Sequence, residues 1–133
     1  MYLEKIQSPN DVQKLSDDEL LELAKEMRSA LIQKASVTGA HLGPNLGVVE
    51  MTIALHRVFH SPVDKIVFDV SHQCYCHKML TGRAQAFLDE DMYATVSGYT
   101  NPEESEHDLF HVGHTATSVS LACGLAKARD CVQ

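Results

Sequence analysis

Lys65-Ile66-Val67-Phe68-Asp69-Val70, followed by Ser71-His72-Gln73-Cys74-Tyr75-Cys76-His77-Lys78, is the stretch on which the fold turns. Its first half is short, β-branched and aromatic, without the polar alternation of a half-exposed strand. That is how a strand buried on both faces of a parallel sheet reads. Its second half is polar and carries imidazole. In α/β folds, ligands bind where the chain leaves the carboxyl end of a strand. The sequence therefore predicts an α/β class, mostly helical with few strands, whose functional loop begins at Ser71.

Outward from this centre the pattern is helical. Ser16-Asp17-Asp18-Glu19 is a capping box, in which the serine oxygen and the Glu19 carboxylate satisfy each other's backbone N–H. Leu20, Leu23, Ala24, Met27, Ala30 and Leu31 then recur at three and four residues, predicting a helix to about Ala35. Its acidic start and the later Lys25, Arg28 and Lys34 suit the helix dipole. Ser8-Pro9 opens a short leading turn. The run from Val37 to Gly47 holds three glycines and a proline in eleven residues, which breaks helix and strand alike and lets backbone approach a ligand. Val48 to Phe59 is apolar on nearly every side and is expected to lie buried between layers. A polar, turn-rich stretch follows from about Asp89 to Asp108. A last helix, Gly113 to about Arg129, is expected to be tightly packed, with its N-terminus able to face an anion.

The 133 residues suffice for one domain, and the formal charge of −7 argues against binding a phosphate backbone. No nucleic-acid partner is expected. No apolar run reaches the roughly 18 residues of a membrane span, and Met1-Tyr2-Leu3-Glu4-Lys5 has no signal pattern, so a cytoplasmic location without membrane association is expected. In that compartment Cys74, Cys76, Cys123 and Cys131 are read as reduced thiols.

Candidate chemistry lies where glycine, histidine and hydroxyl residues coincide: His41 in the first loop, His72 after the strand and His114 before the last helix. A neutral imidazole both donates and accepts and titrates near physiological pH, so several in one cleft would suit proton transfer or oxyanion stabilisation. His56, His60, His107 and His111 are assigned to packing or backbone satisfaction.

Five ordered motifs then match a known family. Gly39-Ala40-His41-Leu42-Gly43-Pro44-Asn45-Leu46-Gly47-Val48-Val49-Glu50 closely resembles the first signature of the 1-deoxy-D-xylulose-5-phosphate synthase family. Asp69-Val70-Ser71-His72-Gln73 with His77-Lys78, then Leu80-Thr81-Gly82-Arg83, Glu104-Ser105-Glu106-His107-Asp108 and Gly113-His114-Thr115 follow in that family's order. The resemblance covers essentially the whole chain. It implies a thiamine-diphosphate-dependent transferase of the transketolase type, condensing pyruvate with glyceraldehyde 3-phosphate and releasing carbon dioxide. It further implies a doubly wound cofactor-binding domain, of which residues 1–133 would be the incomplete N-terminal part. By the same resemblance, His41 and His72 are the expected catalytic residues. His72, Gly113, His114 and Thr115 are the expected cofactor contacts. A homodimer or a companion chain is the expected partner.

The match has departures. The family's Gly-Gly-His is Gly39-Ala40-His41 here, and its Gly-His-Gln is Ser71-His72-Gln73; the added Cβ atoms require negative φ at both positions. The arginine common before Glu-Ser-Glu is replaced by Asn101-Pro102-Glu103, and Gly-His-Ser-Ser by Gly113-His114-Thr115-Ala116. The Gly-Asp-Gly motif and later asparagine that hold Mg²⁺ in the family are absent, so no metal ligand is assigned and the isolated chain is expected to be inactive. A non-catalytic remnant or one subunit of a split enzyme is the alternative. A zinc module built from His72, Cys74, Cys76 and His77 is a further one, although Cys-x-Cys is not the usual zinc spacing. Because the strand lacks a partner of similar quality, the chain is not expected to persist as a well-packed monomer.

Overall fold

The computed structural model describes residues 1–132. After a 3-10 turn at Leu3–Lys5 come α1 (Pro9–Gln13), α2 (Asp17–Thr38), α3 (Leu42–Leu46), α4 (Val49–Val58), α5 (Tyr75–Lys78) and α6 (Gln85–Leu88). A second 3-10 turn at Glu90–Thr95 leads into irregular chain, and α7 (Ser118–Val132) follows. None of these helices is long and apolar enough to cross a membrane.

The long helix α2 is the spine. Both halves of the Ser16–Glu19 capping box form, with the Ser16 N–H donating to Glu19 Oε2 at 2.8 Å. The helix runs past Ala35 and stops at Gly39, which takes the left-handed conformation (φ +67°) that a residue without Cβ adopts cheaply. Leu23, Ala24, Met27, Ala30 and Leu31 form its buried stripe. They pack on Leu3, Ile6 and Val12 from the N-terminal turns, on Val49 and Ile53 of α4, and on a continuous buried run from Cys74 to Leu80. The N-terminal turn is fastened to this spine by the Glu26 carboxylate, which accepts from the Tyr2 and Leu3 N–H groups at 3.0 and 2.8 Å.

Three expectations are corrected. Residues 65–70 form no strand. Among the described residues the ladder pairing is a single antiparallel bridge, Thr100 with Val112, so the architecture is mostly helical with almost no strand. A strand exists through hydrogen bonds to a neighbour, and among the described residues no ladder pairing involves 65–68; Ile66, Val67 and Phe68 are half-buried rather than sealed on both faces. Helix α4 is likewise buried on one face only. Val49, Thr52, Ile53 and His56 face inward, while Met51 and Val58 are exposed, because α1 and α2 cover one side and no second layer covers the other. Finally, the last helix begins at Ser118, not Gly113, and none of its residues is buried. Gly113, His114 and Thr115 therefore sit on the loop before it.

Candidate active site

The loop between α2 and α3 carries His41, the loop before α5 carries His72, and the loop before α7 carries His114. The fold brings all three together. Ring centroids are 5.2 Å apart for His41–His72, 5.6 Å for His41–His114 and 4.8 Å for His72–His114. Tyr99 joins the group, its ring 5.7 Å from His41 and 5.4 Å from His114. Tyr75 approaches from below, with its hydroxyl 3.3 Å from His41 Nδ1. Gly98 leaves room for this contact: a Cβ there would stand 3.3 Å from the Tyr75 hydroxyl and 3.9 Å from His41 Nδ1. Gly113 is half-buried at the edge of the cluster, and Thr115 is exposed beside it.

The protonation chemistry of the cluster follows from its surroundings. Burial, then the neighbouring His72 and His114, holds His41 below the ordinary histidine range, so its ring is neutral at pH 7. Burial also pushes the Tyr75 phenol up, with the His41 contact partly opposing it. Tyr75 is thus a neutral hydroxyl that can donate to or accept from His41. His72 Nδ1 lies 2.6 Å from the Val70 carbonyl, which can only accept, so the neutral ring's tautomer has its proton on Nδ1 and its lone pair on Nε2. The turn that achieves this places Val70 at φ +50°, a strained value for a β-branched residue of the kind that gathers at functional sites.

Buried polar ties hold the loops. The Asn45 amide donates to the carbonyls of His41 and His72 at 2.6 and 2.8 Å and accepts from the Tyr75 N–H at 2.9 Å. The Ser71 hydroxyl donates to the Val112 carbonyl and accepts from the Thr100 N–H at 3.0 Å. Ala40 and Ser71, the two positions where the sequence adds a Cβ to a glycine pattern, are not among the residues with positive φ, so both side chains fit without backbone strain.

Beneath the cluster lies a charged network. Lys78, fully buried, donates to Glu104 at 2.6 Å and to the Ser97 carbonyl at 2.9 Å. Arg83 reaches Glu104 at 3.1 Å and forks onto both oxygens of Asp108 at 2.8 and 2.7 Å. Asp108 also meets His77 Nε2 at 3.3 Å, and His77 Nδ1 meets His56 Nε2 at 2.9 Å. Burial alone would raise the Asp108 carboxyl, but Arg83, His77 and the Asn101 N–H outweigh it and hold the group well below the usual carboxylate range. Glu104 is lowered in the same way, Lys78 and Ser97 outweighing its burial. This network anchors residues 97–108 on α5, and so carries Tyr99 to its place.

Sequence reasoning found the three histidines and missed their supports. Asn45, Tyr75, Ser71 and the ions beneath act through contacts between distant segments. Lys78, Arg83, Glu104 and Asp108 stand within the ordered motifs, which gave them no role of their own. The zinc alternative does not survive the geometry. Cys74 and Cys76 are buried in the core, burial pushing both thiols up to about 12. Among the described residues no three His, Cys, Asp or Glu side chains gather as a metal cage.

Fold and site together define a helical segment that gathers three imidazoles and two phenols into one cluster, a class suited to proton-handling chemistry. Sequence comparison gives the particular family. The profile described as 1-deoxy-D-xylulose-5-phosphate synthase matches residues 3–133, and the chain belongs to that family. It is 54% identical over 128 residues to a 1-deoxy-D-xylulose-5-phosphate synthase of Pelotomaculum thermopropionicum, which covers 96% of this chain and 20% of that protein. It is 53% identical over 133 residues to the enzyme of that name from Macrococcus caseolyticus, covering 100% of this chain and 21% of that protein. For Halalkalibacterium halodurans the identity is 52% over 130 residues, 98% and 21% of the two chains. The chain thus spans about a fifth of the length of the curated relatives it matches.

Proposed function

We propose that this chain is the N-terminal part of the thiamine-diphosphate-binding, doubly wound domain of a 1-deoxy-D-xylulose-5-phosphate synthase, a transferase of the transketolase type. In that enzyme it would serve the condensation of pyruvate with glyceraldehyde 3-phosphate, with loss of carbon dioxide, in the cytoplasm. The observation that carries the reading is the convergence of His41, His72 and His114, from three separate loops, to ring separations of 4.8–5.6 Å.

The residues present fit the cofactor's chemistry, which joins aromatic rings to an anionic diphosphate. The lone pair of His72 Nε2, the His114 ring, the Gly113 N–H and the Thr115 hydroxyl would contact it on the side of the histidine cluster that leads to α7. When bound, thiamine diphosphate supplies the carbanion and the electron sink for the bond made and broken. The chain's own part is proton management. His41, neutral and steadied through Nδ1 by Tyr75, can take a proton from an acceptor hydroxyl or return one to a developing alkoxide. His72, whose Nδ1–H donates to the Val70 carbonyl, accepts hydrogen bonds at Nε2 and offers that atom as a base. The reading assigns the Mg²⁺ ligands to the family's Gly-Asp-Gly motif and later asparagine, a motif these 133 residues do not contain.

Several apolar side chains stand in water, among them Val63 at 81% and Val119 at 74% exposure. They favour a setting in which further protein, a homodimer partner or a companion chain, covers these side chains. The test is a chimera in which this chain replaces the matched 128 residues of the Pelotomaculum relative. Release of carbon dioxide from pyruvate, dependent on glyceraldehyde 3-phosphate and thiamine diphosphate, is expected. A folded chimera without that activity refutes the reading.

A further inference from the structure

We propose that Asn45 and Ser71 are positioning residues, whose buried side chains set the spacing of the three imidazoles from either side of His72. The activity arm of the test rests on the function proposed above; the structural arm does not.

The geometry assigns each side chain a distinct pair of loops. Asn45 has no exposed surface and uses all of its amide. Its two N–H donors go to the carbonyls of His41 and His72 themselves, so the bonds fix the backbone from which both rings project. Its oxygen takes the N–H of Tyr75, the residue whose hydroxyl meets His41 Nδ1. One amide thereby closes a loop of contacts through His41, His72 and Tyr75. Ser71, equally buried, works on the other side of His72. Its hydroxyl donates to the carbonyl of Val112 and accepts the N–H of Thr100. Val112 lies two residues before His114, and Thr100 directly follows Tyr99. The bridge between Thr100 and Val112 is thus pinned to the His72 turn by one hydroxyl, which sets the spacing of the His72–His114 and Tyr99–His114 pairs.

A buried polar group must find partners wherever it lies, so satisfaction alone would not make these residues special. The specific content of the proposal is which ring pairs each tie governs. Asn45 governs His41–His72 and His41–Tyr75; Ser71 governs His72–His114 and Tyr99–His114. Thr52 supplies the control. Its buried hydroxyl bonds the Val48 carbonyl at 2.7 Å, away from the cluster, so its removal loosens the core without touching a site loop.

The experiment is nuclear magnetic resonance of the full 133-residue chain, labelled at histidine, for wild type and for Asn45→Asp, Ser71→Ala and Thr52→Ala, with circular dichroism reporting the fold. Asn45→Asp keeps the shape and removes both donors. It is expected to lose the His41–His72 and His41–Tyr75 ring contacts and to shift the His41 signals. Ser71→Ala is expected to lose the His72–His114 and Tyr99–His114 contacts while His41–His72 persists. Thr52→Ala is expected to move none of them. Folded variants that retain every ring contact overturn the proposal, as does a Thr52→Ala variant that disturbs the rings equally, or a wild-type chain in which the ring contacts are absent. Should Asn45→Asp fail to fold, Ser71→Ala decides alone. In the chimera, Ser71→Ala, which removes both hydroxyl bonds, is expected to raise the KM for thiamine diphosphate about tenfold, with a smaller change in kcat at saturation. An inactive wild-type chimera would refute the functional reading and leave the resonance result standing.

Discussion

Replacing His56 by glutamine should flatten the acid side of this chain's stability curve. His56 is fully buried on α4, its Nε2 is 2.9 Å from His77 Nδ1, and its own Nδ1 has no partner. A second proton would therefore sit in apolar surroundings with nothing to receive it. Burial first, then His77 and His107, push the ring down to about 3. In the unfolded chain the same ring titrates near 6.5. Between those values the unfolded state binds the extra proton, so folding weakens as pH falls, by about 1.4 kcal/mol per pH unit. Two units, from pH 6.5 to 4.5, withdraw about 2 kcal/mol through His56 alone, a large share of a typical domain's 5–15 kcal/mol. His77, also lowered chiefly by burial, acts in the same direction. Asp108 has the opposite chemistry but the same sign. Its contribution is present above the unfolded carboxylate value of about 4 and is lost only below it. Urea unfolding followed by circular dichroism at pH 7.5, 6.5, 5.5 and 4.5 reads the effect. His56→Gln should be the weaker protein at pH 7.5, by about 1–3 kcal/mol for a disturbed buried hydrogen bond, and should close that gap by about 2 kcal/mol between pH 6.5 and 4.5. Parallel curves for the two proteins over that range would refute the reasoning.

Gly82 holds φ +88° and an added Cβ would lie 2.8 Å from the Gln7 carbonyl oxygen, so Gly82→Ala should destabilise the chain by about 2 kcal/mol or more, read as a drop in Tm. A thiol reagent at pH 8 should modify Cys123 and Cys131 rapidly in the native chain and reach Cys74 and Cys76 only after denaturant is added, because burial pushes the latter pair up to about 12. In the active chimera, alanine at His41 or His72 should lower turnover by about 10²–10⁴-fold, the usual loss when a general acid or base is removed. Alanine at the buried His56 should lower Tm more than turnover, and equal losses of turnover at His56 and His41 in folded protein would show the division of roles to be wrong.

The parts of the fold that could be read from the sequence are those decided within a few residues. Ser16 to Glu19 carries its own hydrogen bonds, so the start of α2 is fixed locally, and the periodic Leu23–Leu31 stripe names its buried face. The α4 helix shows the limit of such reading. Its apolar residues surround the axis, but only tertiary packing decides which of them find neighbours, and Met51 and Val58 do not. The candidate site divides along the same line. Glycine-rich loops with histidine announce themselves, and His41, His72 and His114 do meet. Asn45 looks like any residue of a proline-containing turn, and nothing local says that its amide will span two loops more than 20 residues apart.

Residues 65–68 show how a sequence pattern and a local structure can differ without either being wrong. Ile66, Val67 and Phe68 carry the composition of a strand covered on both faces, yet they are half-buried and unladdered among the described residues. What flanks them is also unfinished: a cavity of about 400 Å³ separates Val63, Lys65 and Val67 from Ala122, Leu125 and Ala126 of α7, a helix with no buried residue. A β-branched run lowers free energy only when its backbone is laddered and its side chains are covered. The pattern therefore describes an environment richer than the one these 132 residues create. The chain matches about a fifth of its relatives' length, and the proposed place of the segment in a doubly wound domain supplies that environment: strands beside residues 65–68, and a layer over α7. On this argument the His72 turn, which leaves the end of that run, gains its final rigidity only when the neighbouring strand is in place.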